Sequence, residues 1–192
     1  MANIREGNKS ILLVVDAQVG VLHNLWDTPR IIKNIGIVVE KARSQGVPII
    51  WVQHLDDELV YDSSDWNLVP ELVPEEGGVR IQKQFNSSFE HTLLEETLAR
   101  LGITYIVLAG AATNWCVRAT AYGALDRGYD VTLVKDAHTT ETIELENGTM
   151  IKAADIIREL NIVMTWLSYP DRTNRTASAE EVDFTDSGGV LH

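Results

Sequence analysis

The sequence predicts an α/β fold in a single domain, a parallel sheet with helices packed on both of its faces. Three observations carry that expectation. Apolar runs of strand length alternate with longer segments of helical period along most of the chain. The first of those runs, Ile11-Leu12-Leu13-Val14-Val15, is apolar without interruption, as in a strand covered on both faces. Three of the helical segments end at a glycine, Gly46, Gly102 and Gly128, the residue that most readily takes the left-handed turn closing a helix.

In order, the first strand, 11–15, ends abruptly at Asp16-Ala17-Gln18, and a polar-to-aromatic stretch through His23 and Trp26 follows. Thr28-Pro29 reads as a cap with proline at the first helical position. Ile31, Ile32, Ile35, Val38, Val39 and Ala42 then recur at helical spacing up to Gly46. A second strand spans 47–53, with Pro48 near its start, where a missing donor is tolerated. Residues 54–78 are acidic, contain Pro70 and Pro74 and show no period, so they form a long excursion of the kind that often carries function. A short strand at 79–82 ends on Lys83, and a helix from about 88 buries Leu93, Leu94, Leu98 and Leu101 before Gly102. The strand 103–109 leads through Ala112 into a helix over 117–127, with Cys116 in the turn between them. A fifth strand at 131–134, a helix over about 145–160 and a last strand at 162–166 complete a domain of residues 1–170. Residues 171–192, with Gly188-Gly189, read as a polar tail lying on the surface or against a neighbouring subunit.

Composition narrows the function classes. Sixteen basic against 28 acidic residues leave a net charge of -12 with no basic patch, which disfavours nucleic acid and anionic membrane as partners. A single cysteine excludes an intrachain disulfide and favours a reducing compartment. The polar start of the chain lacks the apolar core of a signal peptide, and no apolar run reaches membrane-spanning length, so a cytoplasmic location is expected.

In parallel α/β sheets, ligands bind outside the carboxyl ends of the strands. Asp16 follows the first strand, Lys83 the third, and Cys116 the fourth by one short turn, so all three fall at that edge. A thiol at a helix N-terminus beside an ammonium is favoured as thiolate, and a neighbouring carboxylate can take its proton. No Gly-x-Gly-x-x-Gly follows the first strand, which disfavours a dinucleotide-dependent oxidoreductase.

These residues resemble the isochorismatase-like cysteine hydrolases, which include nicotinamidases, N-carbamoylsarcosine amidohydrolase and ureidoacrylate-type amidohydrolases. The resemblance covers roughly residues 8–168. It rests on Leu13-Val14-Val15-Asp16-Ala17-Gln18, on Gln82-Lys83 with Ser88-Phe89, on Gly110-Ala111-Ala112-Thr113-Asn114-Trp115-Cys116-Val117 with Ala119-Thr120-Ala121, and on Gly128-Tyr129-Asp130-Val131 and Lys135-Asp136-Ala137. It implies a six-stranded parallel sheet of order 3-2-1-4-5-6 and a triad of Asp16, Lys83 and Cys116. It also implies an oxyanion hole from the backbone N–H groups of Ala112 and Cys116, and a cis peptide between Ala111 and Ala112. Members commonly form dimers or tetramers, so a homodimer or homotetramer is expected.

The chain also departs from parts of that family. Metal-binding nicotinamidases are similar to one another in an Asp-x-His pair after the second strand, where this chain has Gln53-His54-Leu55-Asp56-Asp57. Neither a catalytic metal nor a cofactor is therefore expected, and His54 becomes a hydrogen-bonding residue of the pocket or its rim. Isochorismatases that cleave a vinyl ether typically carry glycine in place of this cysteine. Cys116 thus points to a C–N bond in an amide, lactam or ureido compound, with an ether hydrolase or a non-catalytic reactive-thiol protein as alternatives. Trp26, Phe85, Trp115 and Tyr122 are candidates for the walls of a small-molecule pocket. Gln18 either faces that pocket or hydrogen-bonds the backbone.

Overall fold

The computed structural model describes residues 6–185. The elements run β1 (Lys9–Val15), α1 (Val19–Leu22), α2 (Thr28–Ser44), β2 (Ile49–His54), β3 (Val79–Lys83), α3 (Leu94–Leu101) and β4 (Ile103–Ala111). A π-helical turn (Thr113–Val117) then leads into α4 (Arg118–Asp126), followed by β5 (Asp130–Thr139), β6 (Ile143–Glu144), β7 (Met150–Ile151), α5 (Ala153–Trp166) and β8 (Asn174–Ala177). Six strands form one sheet in the order β3-β2-β1-β4-β5-β8. Every neighbouring pair in it is parallel. β6 and β7 form a separate antiparallel pair.

β1 shows why the sheet is three layers deep. Its side chains alternate across the pleat, so Ile11, Leu13 and Val15 enter one apolar cluster with Leu94 and Leu98 of α3, Ala121 and Leu125 of α4, and Leu160 and Met164 of α5. Leu12 and Val14 enter the opposite cluster with Ile31, Ile35, Val38 and Ala42 of α2. A strand buried on both faces needs no polar side, hence its unbroken apolar run.

The sixth strand is not where the sequence placed it. Residues 162–166 continue α5, whose buried face is Ile157, Leu160 and Met164 at helical spacing. The alternation of Leu160, Ile162, Met164 and Trp166 imitates a strand, yet Ile162 and Trp166 are exposed. The strand that completes the sheet is β8, a polar edge segment paired with β5 from Val131↔Asn174 to Val134↔Ala177. The tail expected after residue 170 therefore supplies the sheet edge, and Ala179, Val182 and Phe184 beyond it are buried in the α2-side cluster. Residues 1–5 at the polar start, and 186–192 with Gly188-Gly189, lie outside the described residues.

Two helix starts also differ. α5 begins at Ala153 because residues 145–149 form a turn closed by Leu145 N–H donating to Thr149 O at 2.8 Å, with Gly148 at φ 77°. α3 begins at Leu94 because Ser and Thr side chains bind the backbone before it, as in Thr92 Oγ1 donating to Ser88 O at 2.6 Å. Thr28 caps no amide of α2; its hydroxyl bridges the Leu22 and Leu25 carbonyls of the preceding turn.

Gly110 positions the site. Its φ is 129°, and a Cβ there would stand 1.9 Å from the Val15 carbonyl oxygen. Only glycine lets the end of β4 close on the end of β1 at this point. The residues that follow the two strands, Asp16 and the cysteine turn, are thereby brought side by side.

Candidate active site

Asp16, Lys83 and Cys116 converge at the carboxyl edge of the sheet. Asp16 adopts a left-handed conformation, φ 50°, uncommon for a residue with a side chain. It is held there by its N–H, which donates to Val52 O at 2.8 Å. Lys83 ends β3 directly opposite His54 of β2. Its ammonium donates to Asp16 Oδ2 at 2.6 Å and to Cys116 Sγ at 3.1 Å. Both members of the ion pair are buried, at 0% and 2% side-chain exposure, so the pair is screened from water. The second Asp16 oxygen, Oδ1, is buried with no hydrogen-bond partner among the described residues, leaving a lone pair free for a proton.

The charge balance follows from that geometry. One ammonium neutralises one anion, so Asp16 and Cys116 cannot both ionise and must share a proton. Burial raises the Asp16 carboxyl above its ordinary value, although the Lys83 charge and hydrogen bond pull the other way. Burial pushes the Cys116 thiol up to about 12, with the Asp16 charge adding to it and Lys83 offsetting only part. The sequence-based expectation of a lowered thiol pKa is thus corrected for the resting site. Burial, and then the adjacent carboxylate, outweigh the ammonium.

The cysteine turn is tied down independently. The Ala111-Ala112 peptide is cis, as the resemblance implies. The Ala112 carbonyl accepts both Trp115 N–H and Val117 N–H at 3.1 Å, which places the Ala112 and Cys116 amides in one turn. Thr113 at its start is hydrogen-bonded to His138 Nδ1 at 2.9 Å, and His138 Nε2 meets Asn161 Oδ1 at 3.0 Å. Since Asn161 Nδ2 donates to Lys135 O, its oxygen faces the ring and the imidazole proton sits on Nε2. Burial drives the His138 pKa down to about 4, so this link is neutral.

The tentative pocket residues separate. Gln18 is fully buried with its amide committed to backbone: Nε2 donates to His54 O and Trp66 O, and Oε1 accepts His54 N–H. It is a clamp, not a pocket wall. Trp26 lines a different cavity of about 460 Å³, with Ile31, Ile157 and Trp166. Tyr122 is half-buried against the α3–α5 core, on the packed side of α4. Phe85, 47% exposed, lines a cavity of about 280 Å³ with Leu55, His91 and Lys83. Trp115, 52% exposed, precedes the only cysteine. His54 is half-buried at the site, with Nδ1 at 3.1 Å from Lys83 Nζ.

Asn86 was not apparent from the sequence. Its Oδ1 lies 3.9 Å from Cys116 Sγ. Ser88 places that loop by bonding Thr120 of α4 through its N–H at 3.0 Å and its hydroxyl at 2.8 Å. The Ser88 and Thr120 positions within the resembling motifs were the available signal.

Asp16, His54 and Cys116 bring an oxygen, a nitrogen and a sulfur within 4.8 Å of one another, a set whose composition suits a metal ion. The Lys83 ammonium contacts all three and occupies that role itself.

The isochorismatase domain family matches residues 10–168 of this chain. The chain belongs to the isochorismatase family. It is 32% identical over 155 residues to the uncharacterized isochorismatase family protein YrdC of Bacillus subtilis, covering 77% of this chain and 83% of that one. Streptothricin hydrolase of Streptomyces noursei is 31% identical over 147 residues, covering 71% and 57% respectively. A crystal structure of an isochorismatase from Pseudomonas putida KT2440 superposes with a TM-score of 0.81 at 30% identity, covering 92% of this chain and 91% of the other. Streptothricin hydrolase is a hydrolase by name, and the Pseudomonas putida isochorismatase shares this α/β architecture. Among the described residues no helix is long and apolar enough to cross a membrane.

Proposed function

We propose that this family member is a cysteine hydrolase that cleaves a non-peptide C–N bond, in an amide, lactam or ureido group of a small molecule, through a thioester-type intermediate on Cys116. The observation that carries the reading is the buried Lys83 ammonium bridging the Asp16 carboxylate and the Cys116 sulfur. Thiolate plus carboxylic acid has the same net charge as thiol plus carboxylate. Moving the proton from sulfur to Asp16 therefore creates the nucleophile without adding charge to a buried site.

The thiolate attacks the carbonyl carbon, and the Ala112 and Cys116 N–H groups receive the oxyanion. Protonated Asp16 gives its proton to the departing nitrogen as the C–N bond breaks, which leaves the acyl group on sulfur. Water then attacks that carbonyl with Asp16 as base, the C–S bond breaks, and the proton returns to sulfur. Lys83 holds the carboxylate in place and stabilises whichever anion carries the charge. The cavity that Phe85 shares with Lys83, and Asn86 beside the sulfur, mark the side from which substrate would approach. The streptothricin hydrolase relative is consistent with hydrolysis of a small molecule on this scaffold.

The test is ammonia release over a panel of small amides and ureido compounds, with intact-mass analysis during turnover. Turnover with an acyl adduct on the single cysteine is expected, with a loss of about a thousandfold or more in Cys116→Ala. Amide turnover that survives Cys116→Ala sinks the reading, and vinyl-ether cleavage that survives it without any amide turnover assigns an ether hydrolase instead.

A further inference from the structure

An ammonium has three hydrogens, and Lys83 meets three acceptors. Two are Asp16 Oδ2 and Cys116 Sγ; the third is His54 Nδ1 at 3.1 Å. An imidazole nitrogen facing a permanent donor must present its lone pair, so the ring proton of His54 lies on Nε2. Nε2 faces Asp56 Oδ2 at 3.3 Å. Asp56 is anchored in turn, its Oδ1 accepting Glu58 N–H at 2.9 Å and Leu59 N–H at 2.7 Å. Gln18 fixes the His54 backbone from both sides, accepting its N–H at 2.7 Å and donating to its C=O at 3.0 Å. The imidazole is thus held at its backbone and at its far nitrogen, with one lone pair aimed at Lys83.

We propose that His54, oriented by Asp56, is a positioning residue for Lys83: it holds the third ammonium hydrogen so that the other two stay aimed at the carboxylate and the sulfur. The inference rests on the reading of Cys116 as the nucleophile, and it concerns how the cation beside that nucleophile is aimed. A neutral acceptor suits the position. A carboxylate there would compete with Asp16 for the same positive charge and draw the ammonium off the sulfur. The groups facing the ring are Lys83, Asp16, Cys116 and Asp56. Burial, and then the Lys83 charge, push the His54 pKa below its ordinary value and keep the ring uncharged.

The single cysteine allows a substrate-free test on the full chain, because iodoacetamide reports Cys116 alone. His54→Leu removes the acceptor, whereas His54→Asn restores an amide oxygen near the Nδ1 position. At pH 8, alkylation is expected to slow about tenfold in His54→Leu, equivalent to about one pKa unit at the thiol, and to stay within about twofold of wild type in His54→Asn. Asp56→Ala, on an exposed loop, is expected to slow it by about two- to threefold. In ¹⁵N-histidine NMR spectra of the wild-type protein, His54 is expected as the Nε2–H tautomer. An Nδ1–H tautomer overturns the proposal without any variant, as does equal slowing in His54→Leu and His54→Asn, or an unchanged rate in both His54→Leu and Asp56→Ala. Amide hydrolysis that persists in Cys116→Ala would remove the nucleophile reading alone, since alkylation and tautomer still report the Lys83–His54 contact.

Discussion

Lys83→Met is the sharpest probe of the buried charge pair. Methionine fills most of the lysine stem but strips Asp16 of its cation, and both groups are essentially without solvent contact. Breaking a buried ion pair from one side costs about 3–5 kcal/mol, because the remaining charge has neither water nor partner. For a chain of this size that corresponds to a fall in Tm of about 6–20 °C. Protonation of Asp16 limits the penalty. Its folded pKa is already raised by burial, and loss of Lys83 raises it further. A carboxyl with a raised folded pKa keeps its proton in the folded state while the unfolded state releases it. Stability therefore falls as pH rises from the unfolded value, about 3.9, through the folded one. In Lys83→Met the penalty relative to wild type should shrink on acidification, by at most about 1.4 kcal/mol per pH unit. Denaturant melts at pH 5 and pH 7, with Asp16→Asn/Lys83→Met alongside, provide the assay. The double variant is expected to recover most of the stability, since no bare charge remains. A double variant as unstable as Lys83→Met, or a penalty independent of pH, would refute the reasoning.

Three further outcomes test the packing of the chain end and the state of the thiol. Phe184→Ala removes a side chain only 3% exposed, and a loss of about 3–5 kcal/mol in denaturant unfolding is expected; a loss below about 1 kcal/mol would return the last described residues to a surface tail. With the Cys116 thiol pushed up to about 12, its alkylation rate should keep climbing to pH 10 without a plateau. Stability should hold up to about pH 8.5 and fall above it, where the unfolded thiol releases its proton first. A plateau near neutrality would show a preformed thiolate instead.

The parts of this protein that follow from short-range chemistry were legible in the sequence. Asp16, Lys83 and Cys116 each stand at or just past the end of a strand-like segment, and the carboxyl-edge rule for parallel sheets brings such residues together whatever the loops do. β8 was not legible, because an edge strand reading Asn174-Arg175-Thr176-Ala177, half-buried at every position, has no apolar pattern. Residues 162–166 misled through an accident of period, two inward helical positions falling an even number of residues apart. Gln18 and Trp26 lie near Asp16 in the chain, but sequence proximity says nothing of direction. One turns into backbone carbonyls and the other into a separate cavity. The direction of the thiol pKa shift could not be read from the Cys116 turn alone, since it depends first on how deeply the fold buries the sulfur and then on how closely a carboxylate from another strand approaches.

The place of β8 in the sheet has a consequence for how the chain is made. Parallel neighbours β1, β2 and β4 sit at the centre, whereas the strand that covers β5 is followed by only a few residues that still contribute to the core. During synthesis the carboxyl edge that holds Asp16 and Cys116 can gather around β1 and β4 while one flank of β5 still has open hydrogen-bonding groups. That flank closes only once residues 174–177 have left the ribosome, and Ala179, Val182 and Phe184 then seal the apolar surface beside α2. A chain ending before residue 174 would thus keep Asp16, Lys83 and Cys116 and lose the strand that covers the edge of its own sheet.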